Sequence, residues 1–272
     1  MSLRGKNIGV RTLSGAVLAV VVIGSAVWSP WAFMAVVGLI AIGGMMEFFR
    51  LVRRREGIEP QEIAAIALGA ALVIETALTR NPLSLLTVVF IFPIFFVIEL
   101  FRAKPHPLEN IAASICAVVY VALPMALLQL IGRMPSGEEW NYNKIVAIIL
   151  LVWINDIFAY LVGCSIGRHR LCERLSPKKS WEGFIGGVVC SVGAAVGFGA
   201  ILNENLWLWA GLGATVVVGG VAGDLVESMF KREVDVKDSG NIIPGHGGFL
   251  DRFDAMFLAI PAAYLYLILF NI

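Results

Sequence analysis

Near the C-terminal end of the sequence, residues 223–255 read GDLVESMFKREVDVKDSGNIIPGHGGFLDRFDA. Asp224 and Glu227 stand three apart, which puts both carboxylates on one face of a helix. Asp251 and Asp254 repeat that spacing. Grouped carboxylate oxygens suit Mg²⁺, which takes one or two carboxylates and completes its shell with water and substrate phosphate. Lys231, Arg232, Lys237 and Arg252 are spread around the acidic pairs and can neutralise phosphate charge. Gly245, Gly247 and Gly248 come just before the second pair. Such a run lets backbone N–H groups approach an anion, and the helix start that follows adds a favourable dipole. Metal, phosphate clamp and water access are the parts that phosphoryl or nucleotidyl transfer needs.

Each residue also has a plainer reading. Asp251 and Asp254 suit the positive end of any helix. Lys231 and Arg232 suit any membrane-protein loop. The density of the cluster favours a site over the sum of these single explanations. His246 sits in the glycine run as a base, a metal ligand, a phosphate donor or a structural hydrogen-bonder, and the sequence does not choose.

Two further stretches carry chemistry. In SPKKSWEGFIGG (176–187), Ser180 fits a helix N-cap, with Gly183 rather than Glu at the third position, so there is no capping box. Lys178 and Lys179 beside it can reach a phosphate, or simply a lipid headgroup. In LVWINDIFAYLVG (151–163), Asp156 is an acid inside apolar surroundings, next to Asn155. An acid at that depth is either a functional group or half of a packing ion pair. Glu47 and Glu75 are weaker candidates, the first near a span end and the second alone in mid-span.

The elements that must hold these residues are membrane helices. Of 272 residues, 58% are hydrophobic and only 15% charged, and the mean hydropathy is +0.83. Soluble domains carry about a quarter charged residues. A net charge of +1 offers no basic face for nucleic acid. The four cysteines form no CxxC pair and read as small apolar residues. A crossing helix needs about 20 apolar residues. On that measure about nine spans are expected, near 12–29, 31–49, 62–79, 83–101, 110–132, 144–166, 184–202, 206–227 and 254–271. With the N-terminus in the cytoplasm, the outer segments hold Arg80, Arg133 and Lys144, and the other 18 of the 21 Lys and Arg face inward. This asymmetry is the positive-inside pattern, and a miscounted span would scramble it. The expected fold is an all-α polytopic integral membrane protein, with a polar active-site cavity facing the cytoplasm. About five spans fall in residues 1–140. About four fall in a catalytic region, 141–272, whose cytoplasmic loops are 167–183 and 228–253.

SMFKREVDVKDSGNIIPGHGGFLDRFD (228–254) resembles the signature of the phosphatidate cytidylyltransferase family. Its fixed positions are Ser228, Lys231, Arg232, Lys237, Asp238, Pro244, His246, Gly247, Gly248, Asp251, Arg252 and Asp254. SPKKSWEG and GDLVES are also similar to family blocks, and the resemblance spans roughly 151–262. It implies conversion of CTP and phosphatidic acid to CDP-diacylglycerol and pyrophosphate. It also implies Mg²⁺, a second cation such as K⁺, a homodimer, and a bacterial inner (plasma) membrane with the site facing the cytoplasm. Carried onto this chain, it makes Asp224 and Asp251 the first metal ligands and Lys179, Lys231 and Lys237 phosphate or nucleotide contacts. With the residues read above, the expected metal ligands are Asp224, Asp251, Asp254 and Glu227, and the expected catalytic set is Asp224, Asp251, Lys231 and Asp156. The expected substrate contacts are Lys179, Ser180, Lys237, Asp238, His246, Gly247, Gly248 and Arg252. Two rivals remain at this stage. A transporter with Asp156, Asp224 and Glu227 along an ion path is disfavoured by the lack of internal repeats. A CDP-alcohol phosphotransferase would carry D-G-x₂-A-R, which is absent.

Overall fold

A computed structural model describes residues 3–79, 86–134, 139–243 and 247–271. Pro244, Gly245 and His246 lie outside the described residues, so nothing structural is said of them. The chain is an all-helical polytopic membrane protein with one small hairpin. Among the described residues, seven helical stretches are long and apolar enough to cross a bilayer.

Helix α1 (Leu3–Trp28) carries a shorter apolar stretch, Leu13–Trp28. It is followed by α2 (Pro30–Val52), whose start is set by Ser29, which accepts the Trp31 N–H at 3.2 Å, and by Pro30 at the first helical position. Next is α3 (Glu62–Thr79). The expected span at 83–101 is broken in the described residues into α4 (Leu86–Ile91) and α5 (Ile94–Arg102). Pro93 stands at the break, where its ring and missing N–H stop a helix. Hydropathy averaged over the window does not register such a stop. Seven of the nine expected spans therefore appear as full-length apolar helices, and the other two as a shorter stretch and a broken pair.

Helix α6 (Pro107–Ala117) runs through a π turn at Val118–Ala122 into α7 (Leu123–Ile131), making one membrane-length rod. Pro124 follows the π turn, whose wider winding re-pairs the ladder there through the Leu123 N–H to the Val118 carbonyl. Then come α8 (Asn143–Ile166), the strands β1 (Arg170–Cys172) and β2 (Ser176–Ser180), α9 (Trp181–Leu202), α10 (Leu206–Glu233) and α11 (Leu250–Phe270).

The helices form two layers. Helices α8, α9, α10 and α11 pack one against the next in chain order. Helices α2, α3 and α7 pack together, and α11 closes against α7 and α2. Phe49, Met45, Met125, Leu128, Ile148 and Phe257 are fully buried between them. Outward-facing Ile185, Val189, Ile201, Leu265 and Leu269 suit a lipid surround. Helices α10 and α11 approach very closely, because Gly219 and Gly223 face the α11 backbone. A Cβ at Gly219 would lie 2.9 Å from the Ala259 Cα. This contact draws the acids of the two helices together.

Two local expectations are revised. The loop 167–183, expected only as a polar stretch, contains a hairpin in which β1 pairs antiparallel with β2, Arg170 opposite Ser180 and Cys172 opposite Ser176. Helix α10 runs six residues past the expected end at 227, to Glu233. Lys231 pairs back to Glu227 one turn away, and Lys231 and Arg232 complement the helix end.

Candidate active site

Asp224, Glu227 and Lys231 occupy successive turns on one side of α10, and α11 brings Asp251 and Asp254 opposite. Lys231 is almost fully buried, ion-paired to Glu227 and donating to Asp251 Oδ1 at 2.8 Å. Asp251 Oδ2 accepts from the Ser239 N–H at 2.9 Å, the Ser239 hydroxyl at 2.8 Å and the Gly248 N–H at 2.9 Å. The connection between the helices is thus folded back onto α11. Ile243 donates its N–H to the Gly247 carbonyl at 2.9 Å. Gly247 has φ +85, and a Cβ there would sit 2.7 Å from Asp251 Oδ2. Only glycine meets both conditions without strain.

Helix α8 and the hairpin build the other wall. A cavity of about 470 Å³ is lined by Asp156, Tyr160, Lys178, Lys179, Ser180 and Asp224, among others. That volume accommodates a small-molecule ligand. Lys179 Nζ lies 2.5 Å from Asp224 Oδ2. Ser180 is the N-cap of α9, accepting the Gly183 N–H at 3.1 Å as expected, and among the described residues its hydroxyl proton has no acceptor. Glu182 pins the base of the hairpin by accepting from the Arg168 and His169 N–H groups and from the His169 ring. Asp156 has a long contact of 3.4 Å from the Asn155 amide.

The described residues divide the expected carboxylates into two kinds. Asp251 already has four donors, as many as an ionised carboxylate has lone-pair directions. Glu227 is fully buried, with Oε2 ion-paired to Lys231 and Oε1 without a hydrogen-bond partner among the described residues. Among the described residues, Asp254 Oδ1 accepts only the adjacent Ala255 N–H, at 2.7 Å. It feels the carboxylates of Asp224, Glu227 and Asp156. Against these acids stand Lys179, Lys231 and, within electrostatic range of Asp156, Arg252. Negative charge is in excess at a depth where unpaired charge is expensive. Hard oxygen donors, a charge surplus and the unpartnered Oε1 of Glu227 fit a divalent cation. Among the described residues, no three His, Cys, Asp or Glu side chains converge on a ready-made metal position, because Lys179 and Lys231 hold Asp224 and Asp251.

Of the expected residues, Asp156, Lys179, Ser180 and Asp224 share the cavity, while Glu227, Lys231, Asp251 and Gly248 share the buried network behind it. Asp254 is electrostatically coupled to both groups. Lys237 and Asp238 are exposed and make no ion pair among the described residues. Arg252 is exposed on α11. The Gly248 N–H, expected to face phosphate, is taken by Asp251.

Sequence reasoning missed Ser239 and undervalued Glu47. Glu47 Oε2 accepts the Leu250 N–H at 2.8 Å and lies 3.3 Å from the Ser239 hydroxyl. A Cβ at Gly240 or Gly248 would collide with the Glu47 carboxylate. The usable signal was a charged residue directly after GGMM inside an apolar span.

Comparison with known proteins gives a consistent picture. A family model described as the cytidylyltransferase family matches residues 9–270. A phosphatidate cytidylyltransferase of Staphylococcus aureus is 44% identical over 128 residues, covering 46% of this chain and 49% of that protein. One of Mycobacterium bovis is 30% identical over 250 residues, covering 90% of this chain and 68% of that protein. One of Mycobacterium tuberculosis is 30% identical over 250 residues, covering 90% of this chain and 64% of that protein. The match thus spans about half the length of the staphylococcal relative and about two thirds of the mycobacterial ones.

Proposed function

The chain belongs to the cytidylyltransferase family, and on that premise we propose that it is a phosphatidate cytidylyltransferase, converting CTP and phosphatidic acid to CDP-diacylglycerol and pyrophosphate. One observation carries the reading beyond the family match. Lys179 on β2 and Asp224 on α10 line one cavity, beside the buried Glu227–Lys231–Asp251 network. A nucleotide triphosphate and a lipid phosphate both need such a cationic and metal-binding pocket at the membrane edge.

In the reaction a phosphate oxygen of phosphatidic acid forms a bond to the α-phosphorus of CTP. The bond from that phosphorus to the α,β-bridging oxygen breaks, and pyrophosphate leaves with the electron pair. A phosphate monoester has a second pKa of about 6, so the nucleophile is already ionised near neutral pH and needs no strong base. The work left to the protein is positioning and charge neutralisation. Lys179 and Lys231 are the buried or half-buried cations for this task, and each is parked on a carboxylate until a phosphate competes for it. Lys178 in the cavity lining and Arg252 within electrostatic range of Asp156 supply further positive charge. The Ser180 hydroxyl is free to donate toward a bound phosphate.

Mg²⁺ would be held by Asp224, Glu227 and Asp254. Asp251 would join them when Lys231 turns from its Oδ1 to substrate. Bound there, the cation supplies electrophilic polarisation and charge neutralisation for the transferring phosphate. A second cation such as K⁺, a homodimer, the N-terminus-in orientation and a bacterial plasma membrane with the site on the cytoplasmic side complete the reading. The inward bias of Lys and Arg and the bacterial sources of the relatives support the last two. Purified protein in liposomes containing phosphatidic acid, given CTP and Mg²⁺, is expected to form CDP-diacylglycerol. Folded protein that forms none overturns the assignment.

A further inference from the structure

Glu47 sits on α2, in the half of the molecule that carries none of the cavity-lining residues, yet its carboxylate is fully buried against the connection between α10 and α11. Its Oε2 accepts the N–H of Leu250, the first residue of α11. The first N–H groups of a helix have no partner within the helix. Phe249, in the N-cap position of α11, has no side-chain acceptor to offer them. Glu47 therefore supplies that cap from 203 residues away. The same oxygen lies 3.3 Å from the Ser239 hydroxyl, whose proton is shared with Asp251 at 2.8 Å. Asp251 in turn holds Lys231, and Lys231 contacts Glu227. The result is one relay of contacts from α2 through Ser239 to the residues proposed to bind metal and phosphate.

Three features set Glu47 apart from an ordinary packing residue. Its Oε1 has no hydrogen-bond partner. No Lys, Arg or His forms an ion pair with it among the described residues. Gly240 and Gly248, from two places in the connection, both leave room for its carboxylate, and Gly43, one turn earlier on α2, leaves room for the Phe249 ring. A buried acid without a cation costs stability, so its retention calls for a positional role that an apolar residue would not fill.

We propose that Glu47 is a positioning residue for the transfer reaction. By gripping Ser239 and the first N–H of α11, it fixes how Asp251 holds Lys231, and so sets both divalent-cation affinity and turnover. The proposal rests on the reading of the Asp251–Lys231–Glu227 group as part of the active site. Partners that orient metal-site residues typically change metal affinity or activity by about 10- to 100-fold when removed.

The test uses the full chain in detergent or nanodiscs. Mn²⁺ binding is titrated by electron paramagnetic resonance of the free ion, alongside kcat and the KM for CTP. Glu47→Ala is expected to weaken Mn²⁺ binding and lower kcat, each by about 10- to 100-fold, with little change in the KM for CTP. Glu47→Gln keeps an oxygen for the Leu250 N–H and is expected to restore both to near wild type. Glu99→Gln, in a separate buried network, is expected to leave Mn²⁺ affinity and kcat unchanged while lowering Tm. Folded Glu47→Ala with wild-type Mn²⁺ affinity and kcat overturns the proposal, as do equal losses in Glu47→Ala and Glu99→Gln. If Glu47→Ala does not fold, Ser239→Ala reads the same relay, and unchanged Mn²⁺ affinity and kcat in it overturn the proposal. Wild-type protein that binds Mn²⁺ but makes no CDP-diacylglycerol defeats the proposed reaction alone. The Mn²⁺ titrations of the variants then still decide the role of Glu47. Wild-type protein that binds no Mn²⁺ defeats both.

Discussion

The protein holds two carboxylate networks, and they are finished to different degrees. In the N-terminal half, Glu99 Oε1 accepts the Asn110 amide at 2.8 Å. Its Oε2 accepts the Gln61 amide at 2.7 Å and Arg102 at 2.6 Å. One guanidinium answers one carboxylate, and Asn110 and Ser114 go on to bind the Glu59 and Gln61 N–H groups. Only the Gln61 amide oxygen is left over. Around the cavity and the α10–α11 connection, Glu47 from α2 joins Asp156, Asp224, Glu227, Asp251 and Asp254, which together outnumber the nearby cations, and among the described residues Glu47 Oε1, Glu227 Oε1 and the Asn155 amide oxygen lack partners. Buried polar groups are normally satisfied. A closed network such as that of Glu99 holds helices together. An open one holds binding capacity for a cation and phosphates that are not part of the chain.

If this contrast is sound, substitutions in the two networks should fail differently. The largest effect is expected for Asp251→Asn, which loses the anchor of Lys231 and of the Ser239–Gly248 turn. Turnover should fall by roughly 10²- to 10³-fold or more, the scale seen when a charge-stabilising group is removed. Steady-state assays with CTP and phosphatidic acid check this, and a loss under tenfold would break the contrast. Gly248→Ala comes next. Its Cβ would strike the Glu47 carboxylate, so Leu250 and Asp251 must shift. Activity should drop by about tenfold or more, and a silent Gly248→Ala would show that the connection is looser than drawn.

Glu99→Gln belongs to the other side. It turns an acceptor toward three donors into a partial donor, at a cost of about 1–3 kcal/mol. Thermal unfolding should register that loss while turnover per folded molecule stays near wild type. A catalytic defect in Glu99→Gln would erase the distinction between the networks. The smallest effect lies at the rim of the Glu99 region. The Lys104 ammonium, 2.9 Å from Glu59, holds that carboxyl below the usual range. A depressed folded pKa stabilises above the unfolded value of about 4.3 and is lost as pH falls through the folded one. The Tm difference between wild type and Glu59→Gln should therefore be present near neutrality, small because the pair is exposed, and should close in acid below about pH 4. A difference that widens in acid would reverse the sign.

Much of the catalytic half is legible in the sequence because charge is scarce there. Asp156, Asp224, Glu227, Lys231 and Asp251 stand out against apolar neighbours, and helical spacing alone places Asp224 beside Glu227. The cap at Ser180 follows from residue type. What was hidden depends on contacts between distant segments or on backbone breaks. Pro93 is visible inside 83–101, but Pro261 also falls inside a span and leaves α11 unbroken, so residue type alone does not say which proline ends a helix. The pairing of Arg170 with Ser180 has no alternating apolar pattern to announce it. The run of α10 to Glu233 depends on Lys231 finding both Glu227 and Asp251. Glu47 looked marginal because Ser239 and Leu250, the residues that give it meaning, are 192 and 203 positions away.

The central claim is that the open network transfers the nucleotidyl group of CTP to a lipid phosphate. The fate of isotope tests it most directly. Protein in phosphatidic acid liposomes is given Mg²⁺ and CTP labelled either at the α- or at the γ-phosphorus. The account predicts that α-label moves into the lipid extract as CDP-diacylglycerol, that γ-label is released as pyrophosphate in the aqueous phase, and that Asp251→Asn leaves both labels in CTP. Appearance of γ-label in the lipid, or no transfer of α-label by folded wild-type protein, would contradict it.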